Sequence, residues 1–247
     1  MERGELPSAS RALQYDLCPG SYWLEWYVRN VIKPKDIDDD DYDSTEGTFL
    51  HNVRMGFIPE TELQFHQRWV IDRSKRFTEE VLFNLGLRWK NIEETLHEKR
   101  FWIHDTNTLK PVFSGRFDTL YLYNGGTMGI YEEYKMGWKG ATFAPLNRQI
   151  LVNVSAIYQN LRLRRITGIL NQPRVFDAPV SYVVYEENTL RKGVKKAVDI
   201  HRRCMNPHAP RIPGGSQCKF CLGKRYCPEA NALIDNVIQQ FQPNENR

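Results

Sequence analysis

The 247-residue sequence contains no long hydrophobic run, and nothing in it approaches the roughly 18 to 20 consecutive apolar residues that a membrane span requires. Its opening stretch, MERGELPSAS, lacks the apolar core of a secretory signal peptide, so the expected location is cytoplasmic. Cysteine is scarce. There are five, and three of them crowd into Cys218–Cys227, too few and too uneven for a secreted disulfide framework. In a reducing compartment such a cluster holds metal. No P-loop is present, which excludes a helicase motor within these residues, and no repeat recurs at solenoid periods. Neither sign of charge dominates: a net charge of +4 permits a polyanionic partner without demanding one.

The chain is 41% hydrophobic, 12% aromatic and 26% charged, which describes a globular protein with many rings to bury or stack rather than a disordered one. Its length suits one domain with insertions. Four parts are expected within residues 1–247. These are an N-terminal helix over 8–30 that breaks at Cys18-Pro19-Gly20, a helical insertion over about 61–94, a core over about 95–200 and a cysteine-rich segment over 204–230. The run 36–43, DIDDDDYD, reads as a solvated acidic loop, because it lacks the spaced acids, glycine and terminal glutamate of a calcium loop.

Within the core, the patterning predicts strands at about 95–104, 111–123 and 127–135, a helix over about 146–165, a strand near 180–185 and a basic helix over 190–203. The centre of this arrangement is Gly115–Lys135. Asn124-Gly125-Gly126 supplies the positive-φ residues of a tight reversal, so Asp118 returns near the acids of the second strand. With a side-chain period of two, Glu133 and Lys135 share one face with Tyr131, while Glu132 and Tyr134 point the other way. Glu132 is therefore a competitor by composition only. Upstream, a helix opening at Glu46-Gly47 carries His51. Carboxylates such as Asp118 and Glu133 suit Mg²⁺ or Mn²⁺, and a lysine beside them can orient a water or stabilise developing charge. Without further context the same residues read as a cross-strand ion pair and a surface histidine.

Order and spacing carry a resemblance. Gly115-x-x-Asp118 followed by Glu133-x-Lys135 resembles the PD-(D/E)XK nuclease signature, and Gly47-x-x-x-His51 resembles the extra histidine of its RecB-like branch. The resemblance implies an α/β fold with a restriction-endonuclease-like core, a central mixed β-sheet flanked by helices. It implies metal ligation by His51, Asp118, Glu133 and the backbone carbonyl of Tyr134, with Lys135 catalytic. The related Gln-x-x-x-Tyr helix pattern breaks here, since Gln149 is followed four residues later by Asn153 and the next tyrosine is Tyr158.

Cys218-x2-Cys221-x5-Cys227 needs a fourth ligand, for which Cys18 and Cys204 are the candidates, and four thiolates suit either a 4Fe-4S cluster or Zn²⁺. The whole pattern, a lone Cys18-Pro19 before the nuclease motifs and the trio after them, resembles the iron-sulfur nucleases, including CRISPR-associated Cas-four-type proteins and AddB nuclease domains. That resemblance covers roughly 8–230. It implies a C-terminal 4Fe-4S patch on Cys18, Cys218, Cys221 and Cys227, leaving Cys204 spare. It further implies a metal-dependent DNA exonuclease acting on single-stranded or frayed ends, in repair, recombination or CRISPR adaptation and with a possible partner complex. The expected nucleic-acid contacts are Gln149, Tyr158, Arg164, Arg165, Lys195 and Lys196, with Arg162, Arg191, Lys192, Arg202 and Arg203 nearby and Trp102, Trp138 and Lys139 beside the metal strands. The rivals are a DNA-end-binding module without catalysis and a zinc-stabilised nucleic-acid-binding factor.

Overall fold

Asn124, Gly125 and Gly126 all adopt positive φ, at 54°, 65° and 70°, and close the expected hairpin at the heart of the fold. The structure, a computed structural model, describes residues 6–33, 42–138 and 140–241. Most of the acidic run at 36–43 and Lys139 therefore lie outside the described residues. The hairpin strands, β4 (Thr119–Tyr123) and β5 (Met128–Tyr134), pair antiparallel with Thr119 opposite Glu132. They belong to a five-stranded mixed sheet of order β1-β4-β5-β6-β7, in which β1 is Glu94–His97, β6 is Arg165–Asn171 and β7 is Val180–Glu186. Only β5 and β6 run parallel. A separate antiparallel pair, β2 (Arg100–His104) and β3 (Pro111–Arg116), stands beside it.

The helices are α1 (Ala12–Leu17), α2 (Ser21–Tyr27), α3 (Tyr42–Arg54), α4 (Phe65–Asn84), α5 (Arg148–Leu161), α6 (Glu187–Cys204), the short α7 (Gly215–Cys218) and α8 (Pro228–Phe241). Strand parity sorts them onto the two faces. Leu120, Leu122 and Tyr131 pack with Ile150, Val154 and Ile157 of α5 and Leu190 of α6. Tyr121, Tyr123 and Ile130 pack with Val81 and Leu82 of α4 on the opposite face. Each such fully buried aliphatic side chain contributes about 1.5–3 kcal/mol. Among the described residues no helix is long and apolar enough to cross a membrane.

Three expected elements change. The run 95–104 splits at Glu98, whose φ of 54° turns the chain out of β1 into β2, and the run 111–123 splits at Phe117-Asp118. The helix placed over 146–165 ends at Leu161, because Arg162 takes a left-handed conformation with φ of 57°. The chain then enters β6, the strand that extends the sheet beyond the hairpin. It is buried from Ile166 to Asn171, so it shows no polar alternation to read from sequence. Gly168 brings it against α5: a Cβ there would stand 2.5 Å from Ile150 Cγ2. The expected break at Cys18-Pro19-Gly20 separates α1 from α2, with Cys18 at the C-terminal cap of α1.

Candidate metal centre

The turn between β3 and β4 holds Asp118 at the end of the hairpin, and the last residue of β5 fixes its orientation. The Tyr134 backbone N–H donates to Asp118 Oδ2 at 2.7 Å. The other oxygen, Oδ1, lies 3.5 Å from Nε2 of His51 on α3, and Glu98 Oε1 lies 3.5 Å from the same nitrogen. One donor atom from each of His51, Glu98 and Asp118 fits within a mutual separation of 4.8 Å. That is a set of hard oxygen donors plus one imidazole, the chemistry of a divalent-cation site. His51 Nε2 is buried without a hydrogen-bond partner, an orphaned lone pair that a cation would satisfy.

Electrostatics point the same way. Burial pushes His51 down to about 4, with Lys135 and Arg116 adding to the effect against Glu133, so the imidazole is neutral and free to ligate near neutral pH. Burial, and then the charge of Glu133, hold the Asp118 carboxyl well above the usual carboxylate range. Two acids crowded together call for a compensating cation.

Glu133 and Lys135 project from β5 toward α5. Asn147 caps that helix, accepting from the Gln149 and Ile150 backbone N–H groups at 2.9 and 3.2 Å, and this sets Gln149 at its first turn. There Gln149 Nε2 and Lys135 Nζ each donate to Glu133 Oε1 at 2.6 Å, and Lys135 Nζ also reaches Gln149 Oε1 at 3.3 Å. Burial opposes the ammonium of Lys135, but Glu133 and Asp118 hold its pKa above the ordinary value. Asn153, which stands where the resemblance has a tyrosine, donates at 2.7 Å to the hydroxyl of Tyr131, and that hydroxyl bonds Glu133.

Glu132 faces away, as its parity requires, yet it is no surface decoy. It is fully buried and accepts from Thr78 Oγ1 at 2.5 Å, Asn171 Nδ2 at 2.7 Å and the Tyr134 hydroxyl at 2.9 Å, with the Arg54 guanidinium at 3.4 Å. Arg54 lies one turn beyond His51 on α3. The buried ion pair therefore anchors the helix that carries the imidazole.

Sequence reasoning missed Glu98. It sits in the turn between β1 and β2, its N–H donates to the Asp118 carbonyl at 3.0 Å, and its carboxylate pairs with Arg116. The signal was faint: the helical and strand periods by which side chains were assigned to faces do not extend into a turn. Glu98→Gln, which keeps the backbone requirement, is expected to weaken Mn²⁺ affinity about tenfold or more in a calorimetric titration. Unchanged affinity would remove Glu98 from the ligand set.

The other expected contacts divide. Tyr158, Arg164 and Lys195 line one cavity, whereas Lys196 is bound at 2.7 Å to Asp16, which Arg148 and Arg203 also hold, and Arg165 pairs with Glu186 at 3.2 Å. Lys196 and Arg165 are thus ion-paired within the chain. The Arg174 guanidinium stacks on Trp138 with 4.8 Å to the ring centroid.

The two ends of the chain meet at the cysteines. The Ile212 N–H donates to Cys18 Sγ at 3.1 Å and the Gly214 N–H to Cys218 Sγ at 3.3 Å. Burial, the charge of Glu25 and the neighbouring Cys18 and Cys218 push the Cys221 thiol up to about 12. Cys204 is fully buried in an apolar cluster with α6. Among the described residues the cysteines do not form a group of three with all sulfurs within 4.8 Å.

No protein-family model and no curated protein matches the chain. Among solved structures it is similar to "Crystal structure of SSO0001", at 13% identity and a TM-score of 0.41, over 92% of this chain and 88% of that one. A likeness this distant carries no argument about function. What stands on the chain itself is an α/β fold with a central mixed sheet flanked by helices, bearing a His/Glu/Asp cluster able to coordinate a divalent cation.

Proposed function

We propose that the chain is a Mg²⁺- or Mn²⁺-dependent deoxyribonuclease of the PD-(D/E)XK superfamily, RecB-like branch, with a restriction-endonuclease-like core. One observation carries the reading: Asp118 stands beside His51, and the bonded trio Glu133, Lys135 and Gln149 lies near enough for Glu133 and Lys135 to act electrostatically on both. Their order along the chain matches the signature, and a surface ion pair would not recruit a half-buried histidine and a capped helix.

When bound, the cation neutralises phosphate charge and acidifies a water. The chain's own residues do the rest. His51, Asp118 and Glu133 hold the centre, Glu98 extends it toward Arg116, and the ammonium of Lys135 holds the attacking water or the charged phosphoryl oxygen. Gln149 keeps Lys135 and Glu133 in register. The preferred substrate is single-stranded DNA or frayed ends, cleaved exonucleolytically in repair, recombination or CRISPR adaptation, within a larger complex or alone.

By their spacing in the sequence, the cysteines suit a soft-metal site of structural character. Cys18, Cys218, Cys221 and Cys227 would hold a 4Fe-4S cluster, or Zn²⁺ in the alternative, and the sulfurs of Cys18 and Cys218 accept backbone N–H groups. Such a group would clip residue 18 to the C-terminal segment. The test is labelled single-stranded DNA with Mn²⁺: wild type is expected to degrade it and Glu133→Ala to leave it intact, while anaerobically purified protein shows a visible absorption band. Inert wild type would overturn the nuclease reading, and colourless zinc-loaded protein the iron assignment.

A further inference from the structure

A cavity of about 1030 Å³ opens at the far end of α5 from the metal centre, between that helix, α6 and the turn joining β2 to β3. Five cations line it: Arg162, Arg164, Arg191, Lys195 and Arg202. Its acids are largely engaged. Glu187 binds Arg191 at 2.6 Å and the Tyr158 hydroxyl at 3.3 Å, Asp199 binds Arg203 at 3.1 Å, and Asp105 accepts the Asn107 N–H at 2.8 Å. Arg162, Arg164, Lys195 and Arg202 make no ion pair among the described residues. Five cations against three acids leave the cleft with a net positive charge, the footprint of an anionic ligand.

A strand links this cleft to the metal centre. Along β2, Phe101 and Ile103 turn to the core, so Arg100 and Trp102 share the outer face. Across the pair, Trp102 lies opposite Ser114 and Arg100 opposite Arg116, and Arg100 donates to Ser114 Oγ at 3.0 Å. Arg100, Ser114 and Arg116 line the cleft of about 750 Å³ that contains His51, Asp118 and Gln149. At the other end of β2, His104 exchanges backbone hydrogen bonds with the side chain of Gln159, at 2.7 and 2.9 Å, and Gln159 and Asp105 line the basic cavity. Between the two clefts stands Trp102, 39% exposed.

We propose that this outer face of β2 is a rail for single-stranded polynucleotide: the strand leaves the metal cleft past Arg100, stacks a base on Trp102 and delivers its phosphates to the Arg162, Arg164, Lys195 and Arg202 cleft. From Arg100 to Asp105 the rail spans about 16 Å at ~3.3 Å per residue, or about five nucleotides at the 3.4 Å stacked spacing of one strand. A lone aromatic flanked by phosphate-binding cations selects unpaired bases, because a duplex keeps its base faces stacked internally. The proposal deepens the nuclease reading and rests on it for the direction of the strand, but it concerns binding rather than cleavage.

The test therefore measures affinity with Ca²⁺ in place of Mn²⁺, using fluorescent oligothymidylates of about twelve nucleotides, within the site sizes of single-strand binders, and of about three, below them. Wild type is expected to bind the longer strand at least about tenfold more tightly. In Lys195→Glu/Arg202→Glu that length advantage collapses, and the slope of log affinity against log salt falls by about 1.4, two contacts at ~0.7 each. Trp102→Ala lowers affinity for the longer strand by about five- to a hundredfold, as loss of one stacked base predicts. Equal affinity for the two lengths, or an unchanged length advantage in the double variant, overturns the rail. Tighter binding of polyglutamate than of the oligonucleotide overturns it in favour of an acidic protein ligand. Cleavage with Mn²⁺ that persists alongside either result leaves the nuclease reading standing, so the two failures are distinguishable.

Discussion

Glu132→Ala is expected to lower the stability of the folded protein by about 3–5 kcal/mol, the cost of leaving a buried charge without its partner. The group left without its counter-charge is Arg54, whose side chain is 7% exposed and which keeps its hydrogen bonds to Ser74 and Thr78 and its place over the ring of Tyr134. Thr78 on α4 and Asn171 on β6 each lose one acceptor at the same time and keep the Ser74 carbonyl. Burial opposes the Arg54 charge, but Tyr134, Glu132 and Tyr121 hold it above its ordinary pKa, and a guanidinium does not escape by deprotonating. Urea unfolding reads the loss as a drop in midpoint. Glu132→Gln, which keeps an acceptor oxygen for Thr78 or Asn171, is expected to fall between Ala and wild type. A loss under about 1 kcal/mol for the alanine variant, the range of an exposed pair, would show that the network is not closed to water.

Lys135→Ala is expected to reduce Mn²⁺-dependent hydrolysis by about a hundredfold to ten-thousandfold, the range typical for one positioned acid–base group. Metal affinity should hold or rise, because the substitution removes a cation from beside Asp118 and Glu133. That divergence separates a group acting on the reacting atoms from one that merely neutralises Glu133. If hydrolysis and Mn²⁺ affinity fell together, Lys135 would be a structural member of the site. If hydrolysis survived, the proton and charge would be handled elsewhere.

Much of this site was legible because its signals are local. Asn124-Gly125-Gly126 fixes the hairpin, and once the hairpin is fixed, the two-residue period alone sends Glu133 to the α5 face and Glu132 to the α4 face. Cys18-Pro19-Gly20 breaks a helix wherever it occurs, and Gly20 is required there by a close approach, since a Cβ would stand 2.4 Å from the Ala209 carbonyl oxygen. The features that stayed hidden depend on partners distant in sequence. Glu98 becomes a ligand candidate only because one residue at positive φ turns β1 into β2 beside Asp118. Strand β6 is buried on both faces and so lost the alternation that reveals β4 and β5. Lys195 and Lys196 are adjacent and chemically alike, yet one lines an open cavity and the other is spent on Asp16. The charge run could not reveal which, because the choice is made by how α6 rolls against α1.

The same distinction explains the cysteines. Their spacing announces a soft-metal site, while the bond from Ile212 N–H to Cys18 Sγ, which joins groups 194 residues apart, is a product of the completed fold. The buried carboxylate of Glu25 helps to draw the ends together, accepting from Tyr15, Gln14 and the Leu222 N–H at 3.0, 3.0 and 2.9 Å.

The central claim is that a divalent cation sits at the end of the hairpin between α3 and β5. Anomalous diffraction from crystals soaked in Mn²⁺ tests it most directly. The account predicts a single strong manganese peak within coordination distance, about 2.0–2.6 Å, of His51 Nε2 and an Asp118 oxygen, lost in Asp118→Ala crystals. A peak elsewhere on the molecule, or none in a lattice that binds Mn²⁺ at other carboxylates, would contradict it.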